Sequence, residues 1–308
     1  MAGLARGRVG DRRLGPDFLP AVPPVVPPSP ERTALVAETI GAEVRADREV
    51  SSTDAVLAVR SVTKAFGGNR AVDDCSFTVR RGSITGLIGP NGAGKSTLLN
   101  IVAGALRADQ GSVLLDGEPI SGRRPDELLG RGLARTFQVP RPIPSMTVLE
   151  NLVLAGQGQV GERLWTSWCR PNRVGLQENA IVDKALGILG YVNLGRLRDA
   201  PAGTLSGGQK KLLEFARSLM AEPKLVLLDE PAAGVNRTLM RQLTALIEEQ
   251  CHERGVTFLV VEHDMDLVAR LCDPVIVMSQ GRPIFEGTFD EVRRDEEVLS
   301  AYLGGQFR

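Results

Sequence analysis

Gly89-Pro90-Asn91-Gly92-Ala93-Gly94-Lys95-Ser96-Thr97 is the stretch on which the fold turns. It fits the spacing G-x-x-x-x-G-K-[ST], a phosphate-binding loop. The glycines free consecutive backbone N–H groups to curl around an anion without a Cβ in the way. A helix starting at the loop's end aims its positive pole at the same anion. Lys95 brings a mobile charge to the β- and γ-phosphates of a nucleotide, and the Ser96 hydroxyl is placed to ligate Mg²⁺. The flanks agree: Ser83–Ile88 reads as a strand running into the loop, and Lys95–Ala105 as a helix leaving it.

Downstream, Leu225-Val226-Leu227-Leu228-Asp229-Glu230 supplies the complementary charge. Its apolar residues read as a buried strand, which puts the carboxylates at the carboxyl end, where open α/β sheets bind ligands. Asp229 would hold Mg²⁺, directly or through water, and Glu230 would polarise the attacking water as a general base. Taken alone, the string is equally a strand running into a solvated acidic turn. Together with the loop it reads as the second half of one site. Between the halves lies Leu205-Ser206-Gly207-Gly208-Gln209, followed by a helix through Met220. A small hydroxyl and two glycines ahead of a helix make a second anion-binding N-terminus. An ordinary N-capped turn has the same composition. One chain needs only one phosphate cradle, so a second one points to two copies facing each other across shared nucleotide.

The rest of the sequence sets these pieces in an α/β frame with a mainly parallel sheet. Val56–Val62 and Cys75–Val79 alternate like half-buried strands. Thr257–Val261 and Pro274–Ser279 are continuous apolar runs, as expected of strands covered on both faces. From about Thr147 to Met220 the pattern predicts a long helical stretch, opened by Thr147 and Glu150 at capping-box spacing. Residues 1–54 differ. Pro16, Pro20, Pro23, Pro24, Pro27, Pro28 and Pro30 leave no room for a helix, so this extension reads as a polyproline-like or disordered arm. Only Glu31–Arg48 within it could form a short helix.

Composition narrows the partners. Lys+Arg and Asp+Glu are both 37, so the formal net charge of the 308 residues is zero. That balance argues against sequence-blind nucleic-acid binding and against a polybasic membrane anchor. No window approaches the run of about 18 apolar residues that spans a bilayer. The proline-broken start has no apolar core of a secretory signal. Cys75, Cys169, Cys251 and Cys272 form no C-x-x-C pair and read as reduced thiols of a cytosolic protein.

Taken in order, Gly89–Thr97, Leu205–Gln209, Leu225–Glu230 and His263 resemble the ATP-binding cassette (ABC) ATPases, from about Ala55 to the C-terminus. The resemblance implies a P-loop NTPase fold in residues 55–308. Its parts would be a RecA-like parallel-sheet core, an antiparallel β subdomain and an α-helical subdomain inserted at about 139–215. ATP and Mg²⁺ are the implied cofactors. Phe66 is similar to the aromatic that stacks on adenine; the usual residue is Tyr, and Phe keeps the π-face. Gly89, Pro90, Asn91, Gly92, Ala93, Gly94, Lys95, Ser96 and Thr97 would hold the phosphates of one copy's nucleotide. Ser206, Gly207, Gly208 and Gln209 of a second copy would cover its γ-phosphate. Gln138, in Arg135-Thr136-Phe137-Gln138, looks like the glutamine that senses Mg²⁺ and the γ-phosphate. Ser96, Gln138 and Asp229 are thus the implied metal ligands. Glu230, His263 and Gln138 are the implied catalytic set. Asn236, in Ala233-Gly234-Val235-Asn236, stands where many relatives carry Asp.

Narrower strings look like the ATPase subunit of branched-chain amino-acid importers, a group with urea and amide relatives. They are Arg135–Gln138, Met146–Leu152, Glu230–Asn236, Glu262-His263-Asp264-Met265 and Ala301-Tyr302-Leu303-Gly304. The segment Gly156–Asn179, with Trp165 and Trp168, sits where that group carries an insertion. The ending is also similar to the lipopolysaccharide-export ATPase, in which Asp would be expected at position 236. A soluble, non-transport ABC ATPase is the third reading; a single P-loop and no visible coiled coil weigh against it. The importer reading implies a second ATPase subunit, identical or paralogous, and transmembrane permease subunits. It also implies, indirectly, a periplasmic or extracellular solute-binding protein. The chain would sit peripherally on the cytoplasmic face of the membrane.

Overall fold

The computed structural model describes residues 54–136, 141–157 and 171–304. The proline-rich arm with Glu31–Arg48, Gln138, Trp165, Trp168 and Cys169 lie outside the described residues. β1 (Ala55–Phe66) and β2 (Asn69–Arg80) form a hairpin around Gly67-Gly68. β3 (Ile84–Ile88) runs into the glycine loop and α1 (Lys95–Val102) leaves it. β4 (Gln110–Leu115), β5 (Glu118–Pro119), α2 (Pro125–Gly130) and β6 (Leu133–Arg135) follow. Next come the helices α3 (Val148–Val153), α4 (Pro171–Tyr191) and α5 (Gly207–Met220). β7 (Leu225–Asp229), α6 (Arg237–Arg254), β8 (Thr257–Val261), α7 (Met265–Leu271) and β9 (Val275–Ser279) then alternate. β10 (Arg282–Gly287), α8 (Phe289–Val292) and α9 (Glu296–Gly304) complete the described elements.

Two sheets result. One is antiparallel, in the order β2-β1-β4-β5; the other runs β10-β9-β3-β8-β7-β6 and is parallel except for β10. Side chains alternate across a strand, so each parallel strand feeds two cores. Val226, Leu228, Phe258, Val260, Val275 and Val277 face a cluster shared with α3 to α7. Their neighbours Leu225, Leu227, Leu259, Val261, Ile276 and Met278 face a second cluster, shared with α1 and the antiparallel sheet. That double burial explains why β7, β8 and β9 read as unbroken apolar runs while β1 and β2 alternate. Among the described residues, no helix is long and apolar enough to cross a membrane.

The predicted helical stretch from Thr147 to Met220 is not one helix. Thr147 does open α3 with a reciprocal capping box: the Glu150 N–H donates to Thr147 Oγ1 at 3.1 Å, and the Thr147 N–H to Glu150 Oε2 at 2.7 Å. After α4, however, Asn193 turns left-handed at φ 59°, and the chain reaches α5 through single 3₁₀ turns at Gly195–Leu197 and Ala202–Thr204. Pro201 between these turns has no N–H to continue a helix. Helix α1 likewise stops at Val102 rather than Ala105. Gly104 has φ 71° there, and a Cβ on it would lie 2.4 Å from the Arg123 carbonyl oxygen.

Asn151 holds the loop that precedes α3. It is fully buried, accepts from the Ile143 N–H at 2.8 Å, and donates to the carbonyls of Ile143 at 3.1 Å and Thr147 at 2.9 Å. An Asn151→Leu variant leaves those groups without their partner. We expect a loss of about 1–3 kcal/mol, the cost of orphaned buried polar groups. Denaturant titration checks it; an unchanged midpoint would show that the loop does not depend on this side chain.

Candidate nucleotide-hydrolysis site

The phosphate cradle is made of backbone. Gly89 and Gly94 adopt φ 149° and 100°, and a Cβ would lie 2.1 Å from the Met278 carbonyl oxygen on the first and 2.2 Å from that of Ala71 on the second. Only glycine fits a loop pressed this closely between β9 and the start of β2. Gly94 caps α1 without any side-chain hydrogen bond, so the helix's first N–H groups remain for an anion. Lys95 lies across the loop, with Nζ 2.7 Å from the Gly89 oxygen and 3.1 Å from that of Pro90. Burial lowers its pKa, and the Glu230 charge pulls it back up. Asn91, Gly92 and Ser96 are exposed, whereas Ala93 packs into the core beneath.

Strand β7 delivers Asp229 and Glu230 to the same edge. Asp229 is buried and pairs with Arg135 at 3.0 Å; the other arm of Arg135 donates to Asn100 Oδ1 on α1 at 2.6 Å. Glu230 has φ 49°, a left-handed backbone uncommon outside glycine. Its Oε1 lies 3.2 Å from Nε2 of His263, which follows β8. The structure thus sets Glu230 beside His263 and near enough to Lys95 for its charge to act on the ammonium.

The remaining predicted residues stand apart from this cluster. Phe66, at the tip of the β1–β2 hairpin, is 53% exposed, with Lys64 Nζ 5.6 Å from its ring centroid. It is not a core aromatic. Ser206 caps α5 through a reciprocal box with Gln209: the Ser206 N–H donates to Gln209 Oε1 at 2.9 Å, and the Gln209 N–H to Ser206 Oγ at 3.3 Å. Ser206 and Gly207 are exposed, and among the described residues no hydrogen bond joins this corner to Gly89–Thr97. Asn236 Oδ1 accepts from the Leu239 N–H at 2.9 Å and caps α6, a role Asn and Asp fill about equally. Cys75, Cys251 and Cys272 are buried free thiols. Gln138 is outside the described residues.

Four residues at the site were not singled out from the sequence: Arg135, Asn100, Lys211 and Glu262. Lys211 of α5 donates to the carbonyls of Glu230 at 2.8 Å and Pro231 at 3.2 Å. Glu262 is 2% exposed and accepts backbone N–H groups from Ala232, His263 and Asp264. Only the family strings containing Arg135 and Glu262 hinted at them.

A glycine cradle opening a helix, with carboxylates at the end of a parallel strand two places along the same sheet, makes this a P-loop nucleoside triphosphatase. A family model for ABC transporters matches residues 72–233, and one for the branched-chain amino acid ATP-binding cassette transporter matches residues 282–308. A probable branched-chain amino acid transport ATP-binding protein, LivG, from Archaeoglobus fulgidus is 42% identical over 82% of this chain and 96% of its own length. The high-affinity counterpart BraF of Pseudomonas aeruginosa is 37% identical over 81% of this chain and 98% of its own. The crystal structure of a nucleotide-free ATP-binding cassette from an ABC transporter superposes with a TM-score of 0.70 at 38% identity, over 80% of this chain and 98% of that one. The ADP conformation of an ATP-binding cassette of an ABC transporter gives 0.68 at 38% identity, over 81% of this chain and 99% of that one. The chain belongs to the ABC transporter ATP-binding family and is an ATP-binding ATPase cassette.

Gly94→Ala tests the cradle directly. The added methyl group meets the Ala71 carbonyl in a left-handed backbone, so we expect a loss of about 1–3 kcal/mol together with ATP affinity. Thermal melting and ATP titration read the two effects. Wild-type melting and affinity would mean that the loop has room the geometry denies it.

Proposed function

We propose that this chain is the ATP-hydrolysing subunit that powers a membrane importer for branched-chain amino acids or related amides or urea. The observation carrying the mechanism is the separation of two anion-binding features: a cradle with Lys95, Glu230 and His263, and a formed Ser206–Gln209 corner facing solvent. The transport activity of the relatives, and the match at residues 282–308, support the cargo class over lipopolysaccharide export.

In this reading Phe66 stacks on adenine and Gly89–Thr97 binds the phosphates through backbone N–H groups and Lys95. The γ-phosphate is covered by Ser206, Gly207, Gly208 and Gln209 of a second cassette, identical or paralogous. A dimeric post-hydrolysis state of an ATP-binding cassette bound to ADP and Pi, with a TM-score of 0.62 at 25% identity over 76% of this chain and 98% of that one, supports a paired arrangement. Nucleotide then favours the closed pair, because it makes contacts there that the open pair lacks. Glu230 takes a proton from the attacking water, and His263, 3.2 Å away, orients that carboxylate and reaches the γ-phosphate.

The residues suit Mg²⁺. Ser96 and Asp229 are oxygen donors, with Gln138 as the expected third, and a hard cation takes its other ligands from phosphate and water. Bound there, Mg²⁺ would neutralise charge developing on the β- and γ-oxygens. Residues 55–308 form the cassette and about 139–215 its helical subdomain, with residues 1–54 an added arm. Transmembrane permease subunits are the direct partners on the cytoplasmic face, a solute-binding protein the indirect one, and nucleic acid none.

Glu230→Gln is expected to bind ATP normally while turnover drops about 10²- to 10⁴-fold, the usual share of a general base. A phosphate-release assay that finds unchanged turnover would remove Glu230 from that role. Ser206→Arg should keep ATP binding by the single chain but block ATP-induced dimerisation. Sedimentation showing an intact ATP-dependent dimer would sink the shared-site reading.

A further inference from the structure

We propose that the half-buried Lys211 and the buried Glu262 form a clamp that sets the position of the Glu230 carboxylate; both are positioning residues. The inference rests on the reading of Glu230 as general base.

Glu230 leaves β7 in a left-handed conformation that costs a non-glycine residue energy unless its surroundings enforce it. The Glu230 N–H donates to the Val261 carbonyl at 2.9 Å, which anchors the near side of the turn to β8. Lys211 holds the carbonyls of Glu230 and Pro231 from α5, at 2.8 and 3.2 Å. Glu262 holds the far side: its Oε1 accepts the Ala232 N–H at 2.6 Å. Its Oε2 accepts the N–H groups of His263 at 2.9 Å and Asp264 at 3.2 Å. One carboxylate thereby locks the turn carrying the base to the backbone carrying its histidine partner. The Ala233 N–H, donating back to the Glu230 carbonyl at 3.2 Å, closes the turn between them.

The two clamp residues also depend on each other. Desolvation lowers the Lys211 pKa, and Glu262 heads the carboxylates that oppose this, followed by Glu214, Glu230 and Asp229. The buried Glu262 carboxylate thus favours the charged form of the half-buried Lys211 across one turn. Both grip main chain rather than the Glu230 side chain. Their removal therefore lets the carboxylate drift without altering the phosphate cradle. Lys211 has a further consequence. It lies on the helix headed by Ser206, so in a closed pair it links the corner over one nucleotide to the base acting on the other.

The test uses the full-length chain in whichever assembly supports its turnover. Lys211→Met and Glu262→Gln should each lower kcat about 10- to 100-fold, as for a base displaced by an ångström or so. The KM for ATP should stay within about twofold, because ground-state binding is untouched. Lys211→Arg, which keeps charge and donors, should recover most of the lost kcat. The double variant should lose little more than the worse single one, because both act through one turn. Wild-type kcat in Lys211→Met and Glu262→Gln overturns the proposal, and so does a loss of ATP binding that parallels the loss of kcat. If Lys211→Met does not fold, the near-isosteric Glu262→Gln and the Lys211→Arg recovery carry the test. Glu230→Gln is assayed alongside: full turnover in it removes the underlying reading, whereas full turnover confined to the clamp variants removes the clamp alone.

Discussion

Everything at the site depends on three parallel strands lying in register. Leu87 on β3 pairs with Val261 on β8, and Val261 pairs with Asp229 on β7. The ends of all three strands therefore reach one level, and their next residues are the glycine loop, the acidic turn and the His263 loop. Backbone pairing sets this alignment, and a slip by one residue would turn every core side chain the wrong way. The two cores on either side of the sheet make such a slip prohibitive, because each strand is committed on both faces.

The charges gathered at that edge are balanced as well as close. Arg135 answers Asp229, and Lys211 lies among Glu262, Glu214, Glu230 and Asp229. Lys95 is held by carbonyls of its own loop. Buried charges of this kind contribute little net stability, but each is costly to leave alone. The arrangement is thus better understood as fixing geometry than as strengthening the fold. It leaves Glu230 and His263 partly exposed, where water and a phosphate can reach them.

The sequence was most legible where chemistry demands particular residues side by side. Gly89–Thr97 and Leu225–Glu230 could be read because their function resides in consecutive backbone groups or adjacent side chains. The double burial of β7, β8 and β9 was equally visible, since continuous apolar runs are its direct trace. The helical region was overread, because a left-handed Asn193 and short 3₁₀ turns keep much the same apolar spacing as a helix. Short pieces such as β5, of two residues, and β6, of three, are too brief to show a period. Arg135 and Glu262 were hidden for another reason. Their partners lie far along the chain, 94 residues away for Arg135 and Asp229, and 30 for Glu262 and Ala232. Only the folded sheet brings such pairs together.

The capped corner at Ser206 has a consequence for association. Its hydroxyl oxygen accepts from the Gln209 amide, and the Gln209 side chain returns to the Ser206 amide. The N–H groups of Gly207 and Gly208, in the first turn of α5, have no intrahelical carbonyl to donate to, and the capping box beside them is already formed. The loss of freedom in arranging them falls on folding rather than on docking. In the proposed closed pair a partner's phosphate would meet a preset surface, so affinity between the two cassettes would respond sharply to one phosphoryl group more or less.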